Sequence, residues 1–300
     1  MAFQLSKSTA KAVIVEVSFD GRDDLLETLR QGPPSEAKAA LANVPPSCWR
    51  LRSIRQAIPR LHGYSLSGVW RLLHRAGLKL RTPQVQQYSP DPDYQAKEAY
   101  LLACLRQSAR RRDNTVLLFL DEMGYYRWPQ PTAVWAPAPP AAVPMTECQG
   151  AKQQQWRLIG ALNAHSGQVD YLDAYVVGRA KVIEFYRRLE QRYCWASHIY
   201  VVQDNWSIHS HDDVLAALTT LPTIEPVWLP TYAPWLNPIE KLWRWLKQSV
   251  IKMHRLAANW PELRRRVNAF LDQFANGSAE LLQYVGLAGK GKLAQAILNP

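Results

Sequence analysis

From residue 115 onward, continuous apolar runs alternate with amphipathic stripes along the chain. The runs at 115–121 (TVLLFLD) and 198–204 (HIYVVQD) are typical of buried strands, and each ends in an aspartate. Residues 156–176 predict two further strands joined by a hairpin at Ser166 and Gly167. A short strand is predicted at 133–137 and a last strand at 224–230, and helices are predicted at 180–193 and 212–221. With the short strand at 133–137 left aside, the order β-β-β-α-β-α-β-α predicts a mixed α/β sheet flanked by helices.

Upstream of the sheet, helical spacing predicts two short helices around a tight turn. Apolar residues recur every three or four positions from residue 51 to residue 58. Ser65 or Ser67 suits the N-cap of the second helix, and Gly77 suits its end. Such a pair is typical of a helix-turn-helix, although it would also suit a small helical bundle.

Charge is unevenly distributed along this chain, whose formal net charge is +11. Residues 37–90 contain no Asp or Glu but nine Lys or Arg. A solvated basic face would also produce such a cluster, but so long an acid-free stretch favours a polyanionic partner, which we predict to be double-stranded DNA. The predicted DNA contacts in this region are Arg50, Arg52, Arg55, Ser67, Arg71, His74, Arg75, Lys79 and Arg81.

The amino-acid composition limits the classes of protein to which the chain can belong. The apolar fraction of 47% is enough for a large core, and no apolar run reaches the roughly 18 residues that span a bilayer. The four cysteines form no CxxC pair, so the sequence indicates neither a zinc ribbon nor a disulfide framework. We therefore expect a cytoplasmic protein without a membrane partner.

Three acidic residues stand at positions where ligands gather. Asp121 and Asp204 end two apolar strands, although a single aspartate at such a place is usually a turn or helix cap. Glu240 lies in the first turn of a helix loaded with tryptophan. Three acids without a His or Cys cage suit Mg²⁺ or Mn²⁺. Two such ions about 4 Å apart support phosphodiester chemistry.

Glu240 also has two local interpretations. With Asn237 as N-cap and Pro238 at N1, Glu240 falls at the N3 position of a capping box. It also has the spacing to pair with Arg244. The stiff approach over 231–238 and a buried stripe instead fix the direction of the first turn, which suits a metal ligand. The predicted stripe is Ile239, Leu242, Trp243, Leu246 and Val250.

Neighbouring residues are left outside the predicted site. Strand alternation places Glu122 on the face opposite Asp121. Residues 208–213 (IHSHDD) have a spacing that can ligate zinc, but no further ligand accompanies them. We expect His209 to belong to the loop beside Asp204, and Asp212 or Asp213 to cap the next helix.

Three segments together resemble a known family. LLFLDEMGYY, YVVQDNWSIH and LPTYAPWLNPIEKLWRWLK are similar to the three catalytic motifs of mariner-like DDE transposases, in their bacterial insertion-sequence branch. The thirty-five residues between Asp204 and Glu240 suit that branch. SGVWRLLHRAGLKLRTPQ resembles the family's second helix-turn-helix. The likeness covers roughly residues 48–255.

The resemblance implies an RNase H-like fold whose catalytic, metal-binding residues are Asp121, Asp204 and Glu240. It implies a transposase that uses two Mg²⁺ or Mn²⁺ ions to cleave DNA at the terminal inverted repeats of an insertion sequence. The freed 3′-hydroxyl would then attack target DNA, typically at TA, within a homodimeric synaptic complex. Asn205, Asn237 and Pro238 match family positions that we expect to support the catalytic acids. We predict further DNA contacts at Arg244 and Lys247.

These inferences divide the chain into five segments. A poorly defined segment, which fits a truncated DNA-binding unit, covers 1–45, and a helix-turn-helix module covers 46–82. A linker with a helix follows at 83–113. An RNase H-like DDE endonuclease domain covers 114–253, and a helical tail covers 254–300. Two other functions stay open. One is a catalytically inactive, transposon-derived DNA-binding protein, and the other is a different RNase H-fold endonuclease such as a resolvase.

Overall fold

The computed structural model describes residues 49–80, 88–132 and 152–300. The chain divides into two compact units, Met1–Val85 and Gln86–Pro300. The predicted strand at 133–137 and the segment 1–45 lie outside the described residues.

The described part of the first unit contains two short helices around a tight turn. Helix α1 spans Leu51–Ala57, a 3₁₀ turn spans Pro59–Leu61, and α2 spans Leu66–Arg75. Ser65 is the N-cap of α2, because its Oγ accepts a hydrogen bond from the backbone N–H of Gly68 (3.1 Å). The predicted helix pair is therefore confirmed. Its small core consists of Ile54, Ile58, Leu61, Val69, Leu73 and Ala76.

A five-stranded sheet with the order β3-β2-β1-β4-β5 forms the centre of the second unit. Strand β1 pairs antiparallel with β2 and parallel with β4, so the sheet is mixed, as predicted. Strands β2 and β3 pair antiparallel, and β4 and β5 pair parallel. The strands are β1 (Thr115–Tyr126), β2 (Gln155–Asn163), β3 (Val169–Ala174), β4 (His198–Gln203) and β5 (Ile224–Trp228).

Helices cover both faces of this sheet. Alternate residues of β1 point to opposite faces, so that Leu117 and Phe119 join one apolar core and Val116 and Leu118 join another. The first core also contains residues of α3, α6, α7, α8 and α9, and the second contains residues of α4 and α5. The helices are α3 (Tyr94–Arg110), α4 (Arg179–Arg192), α5 (Asp212–Leu218), α6 (Ile239–Leu246), α7 (Trp260–Asp272), α8 (Ala279–Val285) and α9 (Lys292–Leu298).

The predicted hairpin between β2 and β3 is confirmed. Gly167 has a φ of +70°, a left-handed conformation that favours glycine. A Cβ at this position would also lie 2.3 Å from the carbonyl oxygen of Ser278. The turn therefore requires glycine for its own conformation and for its contact with the C-terminal helices.

Strand β1 is longer than the apolar run predicted. Its antiparallel pairing with β2 continues to Tyr126, whereas its parallel pairing with β4 ends at Phe119. The expectation that Asp121 ends a strand was therefore wrong, because Asp121 lies inside β1. It lies just beyond the point where β4 stops, so that side of the strand is open to side chains from loops and helices.

The polypeptide after the sheet is helical. A π-helical turn, Lys247–Ile251, follows α6 and leads to α7, α8 and α9. In the residues that the structure describes, no helix combines the length and the apolar character needed to cross a membrane.

Candidate active site

Asp121 is held in place by a buried tryptophan. Trp243 on α6 donates a hydrogen bond from its indole Nε1–H to Asp121 Oδ2 (2.9 Å). Gly160 faces Asp121 across the β1–β2 pair. A Cβ on Gly160 would lie 2.6 Å from Trp243 Cη2, so the missing side chain provides the space that the indole ring occupies. The position of the carboxylate therefore depends on contributions from two strands and a helix.

Asp204 follows β4 directly and begins a tight loop. Its Oδ1 accepts a hydrogen bond from the backbone N–H of Trp206 (3.0 Å). The ring of His209 contacts Asp204, with Nδ1 3.4 Å from Asp204 Oδ1 and 3.3 Å from the Asp204 carbonyl oxygen. This loop turns the second aspartate toward the end of β1.

His209 connects Asp204 to a residue that the sequence interpretation left out. The imidazole is fully buried, and its Nε2 lies 3.0 Å from Glu122 Oε1. Glu122 does point to the face of β1 opposite Asp121, as alternation predicts, yet it reaches the site through this histidine. Burial disfavours the charged imidazole, but hydrogen bonds to Asp204 and Glu122 outweigh it and raise the pKa of His209 to about 10. The sequence did contain a signal for this contact. Glu122 directly follows the predicted ligand Asp121, and His209 comes five residues after Asp204.

The first turn of α6 is fixed by Asn237 in an unexpected way. Helix α6 begins at Ile239 with Pro238 as N-cap, and no side chain caps it. The side-chain Nδ2–H of Asn237 instead donates to the carbonyl oxygen of Leu120 (3.0 Å), next to Asp121 in β1. The capping-box interpretation of Glu240 was therefore wrong, because the amide that would serve as the cap ties the helix to the strand.

Asp121, Asp204 and Glu240 line one cavity of about 500 Å³. Asp121 is half-buried at its inner end, while Asp204 and Glu240 are exposed. The rest of the wall comes from the loop after β4 and the segment between β5 and α6: Asn205, Trp206, Ser207, Leu229, Pro230, Thr231, Tyr232, Ala233, Pro234 and Asn237. The structure thus brings the three predicted acids together from three separate segments.

Residues 98–264, more than half of the chain, match the family model of the DDE superfamily endonucleases. The chain belongs to this family. Residues 45–97 match a winged helix-turn helix. An uncharacterised 39 kDa protein of the insertion element IS630 from Shigella sonnei is 25% identical over 228 residues, which cover 75% of this chain and 64% of that protein. The chain therefore spans slightly less than two thirds of that relative's length.

Solved structures with a similar fold are complexes of the Mos1 mariner transposase. The paired-end complex with Mn superposes with a TM-score of 0.61 at 14% identity, over 95% of this chain and 79% of that one. The complex with the left transposon end has a TM-score of 0.56 at 14% identity, over 97% and 90% of the two chains. The RNase H-like fold and the predicted resemblance to mariner-like DDE transposases, in their insertion-sequence branch, are confirmed.

The three acids of the cavity repel one another. Burial, followed by the negative charges of Glu240, Glu122 and Asp204, raises the pKa of Asp121 well above its usual value. Burial also raises the pKa of Glu240, although Lys247 and Arg244 partly offset the effect. Asp204 differs, since the hydrogen bonds from His209 and Trp206 outweigh burial and lower its pKa. The charged forms of Asp121 and Glu240 are therefore disfavoured where the three acids meet.

This cluster fits a divalent cation chemically, because the three side chains offer only oxygen donors and a cation would relieve their repulsion. As the side chains stand, the described ranges contain no three His, Cys, Asp or Glu groups close enough together to hold a metal ion. Asp121 and Asp204 each direct one oxygen at an N–H donor.

The zinc ligation considered for residues 208–213 gains no support either. His211, and not Asp212 or Asp213, is the N-cap of α5, accepting from Asp213 N–H (3.1 Å).

The predicted DNA contacts of the chain lie in both units. In the first unit, Arg55 and His74 are half-buried, and the exposed residues are Arg50, Arg52, Ser67, Arg71, Arg75 and Lys79. Arg81 lies outside the described residues. In the second unit, Arg244 is exposed and Lys247 is half-buried, and their positive charges lie close enough to Glu240 to offset part of the rise in its pKa. Asn205 braces the cavity wall, because its Nδ2 donates to the Leu229 carbonyl (3.0 Å) and to Thr231 Oγ1 (3.1 Å).

Proposed function

We propose that the chain is a DNA transposase that cleaves phosphodiester bonds at the ends of an insertion sequence and transfers the freed strand into target DNA. The observation that carries this proposal is the convergence of Asp121, Asp204 and Glu240 on one cavity in a DDE endonuclease fold. A helix-turn-helix with a basic surface accompanies that cavity in the same chain.

In this proposal, Asp121, Asp204 and Glu240 hold Mg²⁺ or Mn²⁺. Two such ions, when bound, activate the attacking oxygen and stabilise the leaving one. The chain itself positions the ligands: Trp243 holds one oxygen of Asp121, and His209 holds Asp204 from behind. Both donors are buried, so each aspartate has little freedom to rotate. The three carboxylates would still have to move closer together around the ions, since as they stand they do not form a group that could hold one.

Binding of the DNA substrate is assigned to the basic surfaces. The exposed arginines of α1 and α2 would hold the terminal inverted repeat, and Arg244 and Lys247 would hold phosphates next to the cavity. Counterion release should then make binding weaken steeply with salt. Two copies of the chain would pair the two ends, and TA would be the target. This assignment is consistent with two of the similar proteins, the Mos1 mariner paired-end complex and a protein of an insertion element.

A cleavage and strand-transfer assay with Mn²⁺, on DNA that carries the flanking inverted repeats, tests the proposal. Asp121→Asn, Asp204→Asn and Glu240→Gln should each abolish cleavage and leave DNA binding largely intact. Asp213→Asn is the matched control, because this exposed acid pairs with Arg179 (2.7 Å) and does not line the cavity.

Other outcomes distinguish the alternatives. Binding without cleavage by the wild type would indicate an inactive, transposon-derived DNA-binding protein. Cleavage without strand transfer would indicate another RNase H-fold endonuclease. Cleavage retained in one of the three variants would remove that residue from the site.

A further inference from the structure

Tyr232 is a strained and exposed residue at the wall of the carboxylate cavity. Its φ is +53°, a left-handed conformation that a bulky residue rarely adopts. Its side chain is 78% exposed, although it lines the same cavity as Asp121, Asp204 and Glu240. Among the described residues, its ring and hydroxyl have no hydrogen-bonding or aromatic partner. Strain of this kind persists where the surrounding structure enforces it, and it is often found at functional sites.

The surrounding structure enforces this conformation through Thr231. The backbone N–H of Thr231 donates to Asp91 Oδ2 (2.8 Å), and its carbonyl oxygen accepts from Ser89 Oγ (2.5 Å). Its Oγ1 accepts from Asn205 (3.1 Å). Lys97 holds Asp91 in turn, with Nζ 2.8 Å from Oδ2. The residue before Tyr232 is therefore fixed on three sides.

The other side of Tyr232 is fixed as well. Ala233 is buried, and Pro234 begins a 3₁₀ turn that ends at Leu236. Trp235 donates from its indole Nε1–H to Tyr94 Oη (3.1 Å) on α3. Anchors on both sides thus hold the ring of Tyr232 out at the cavity wall.

A second strained residue shows what a purely structural case looks like. Met253 is the other non-glycine residue with positive φ in the described part of the chain (+51°). It is half-buried, and its backbone N–H donates to the carbonyl oxygen of Gln130 (3.1 Å). Met253 serves a turn that joins two segments, whereas the strain at Tyr232 presents an aromatic ring to solvent.

We propose that Tyr232 stacks on an unpaired base next to the phosphate that is cleaved at the carboxylates. The inference rests on the proposed function and adds a residue that handles the substrate. An exposed aromatic ring beside a carboxylate cavity that is proposed to cleave DNA offers a face to any base, whatever its sequence. A base inside a duplex has both faces covered, so only a base that has left its stack can use the ring.

The dimensions of the cavity agree with this ligand. A volume of about 500 Å³ is large enough for one nucleotide. Trp206 forms another part of the wall and packs edge-on against His209, with ring centroids 5.5 Å apart. The three carboxylates and Tyr232 line the same cavity. With the divalent cations of the proposed function between them, the carboxylates would hold the phosphate of a bound nucleotide, while its base lies against the tyrosine.

The experiment uses DNA that carries aminopurine, a base analogue whose fluorescence changes on unstacking and on contact with an aromatic ring, on either side of the cleavage position. The full chain with Glu240→Gln binds this DNA without cleaving it. Tyr232→Asn removes the ring but suits the left-handed backbone, because Asn adopts positive φ readily. Tyr232→Phe keeps the ring, and Tyr175→Asn removes an exposed tyrosine (65%) that does not line the cavity.

We expect the fluorescence change at one position to disappear with Tyr232→Asn and to persist with Tyr232→Phe and Tyr175→Asn. With Glu240 restored, Tyr232→Asn should lower the cleavage rate at saturating DNA about tenfold, the effect of losing one base–aromatic contact. A fluorescence change that survives Tyr232→Asn, or that Tyr232→Phe also abolishes, would overturn the stacking role. The fluorescence measurement requires no cleavage, so its failure is separate from a failure of the proposed transposase activity.

Discussion

Adding one methyl group at Gly160 tests how the site is built. The new Cβ would lie 2.6 Å from Cη2 and 2.9 Å from Cζ2 of Trp243. The indole is 1% exposed and lies in the core with Ile239 and Leu242, so it has little room to retreat. Any shift of the ring would move the Nε1–H away from Asp121 Oδ2, because the same ring makes both contacts.

The cost of this change can be estimated from its parts. Overpacking of a filled core costs about 1–3 kcal/mol. Replacing glycine with alanine recovers about 0.4–1 kcal/mol through the unfolded chain where the backbone permits. Gly160→Ala should therefore lower the free energy of unfolding by about 1–2 kcal/mol. Gly124→Ala in β1 is the matched control, because its Cβ would meet mainly the flexible end of Gln155 (2.9 Å from Nε2).

Urea unfolding measures the stability of both variants, and the cleavage assay measures their activity. Gly160→Ala should lose both stability and activity, while Gly124→Ala should stay within about 1 kcal/mol of the wild type. Trp243→Phe separates packing from hydrogen bonding, because it lacks the N–H donor to Asp121. Equal stability and activity in the two alanine variants would refute the idea that the indole is fixed against Gly160.

Two further predictions concern groups away from the carboxylates. Burial and the charge of Arg112 lower the pKa of His165 to about 4. The contribution of His165 to stability is therefore complete above the pKa of about 6.5 that it has in the unfolded chain, and it is lost as the pH falls toward 4. His165→Gln should therefore reduce the pH dependence of unfolding between those values, and urea titrations that show the same dependence for both proteins would disprove this. Asp91→Ala removes the acceptor for Thr231 N–H, so the segment before α6 should become sensitive to limited proteolysis and the cleavage rate should fall. An unchanged digestion pattern would show that Ser89 and Asn205 are sufficient.

Local sequence signals predicted the sheet well. The runs that became β1 and β4 are continuous and apolar because both strands are buried, and that pattern needs no tertiary information. Ser166 and Gly167 marked the hairpin because the turn itself requires a left-handed residue. The predicted triad residues also reached one cavity, since their segments resemble motifs of a family with that arrangement.

Contacts between distant segments could not be predicted in the same way. Asn237 had the local signature of a helix cap, but Leu120 in β1 offers its side chain a carbonyl partner and the cap is lost. Trp243 was assigned to the buried stripe correctly, yet its hydrogen bond to Asp121 depends on a missing side chain in β2. Asp91 stands in a segment that was interpreted as a linker, and only the folded chain brings it to Thr231.

The contact between α3 and α9 has a consequence for synthesis of the protein. Ala296 and Ile297 of α9 join the core that contains Leu101 and Leu105 of α3, and Lys292 pairs with Glu98 (2.6 Å). A ribosome that adds about 5–20 residues per second makes α9 roughly 10–40 s after α3. During that interval the apolar face of α3 lacks part of its cover, so faster elongation would shorten the time for which this face is open to aggregation.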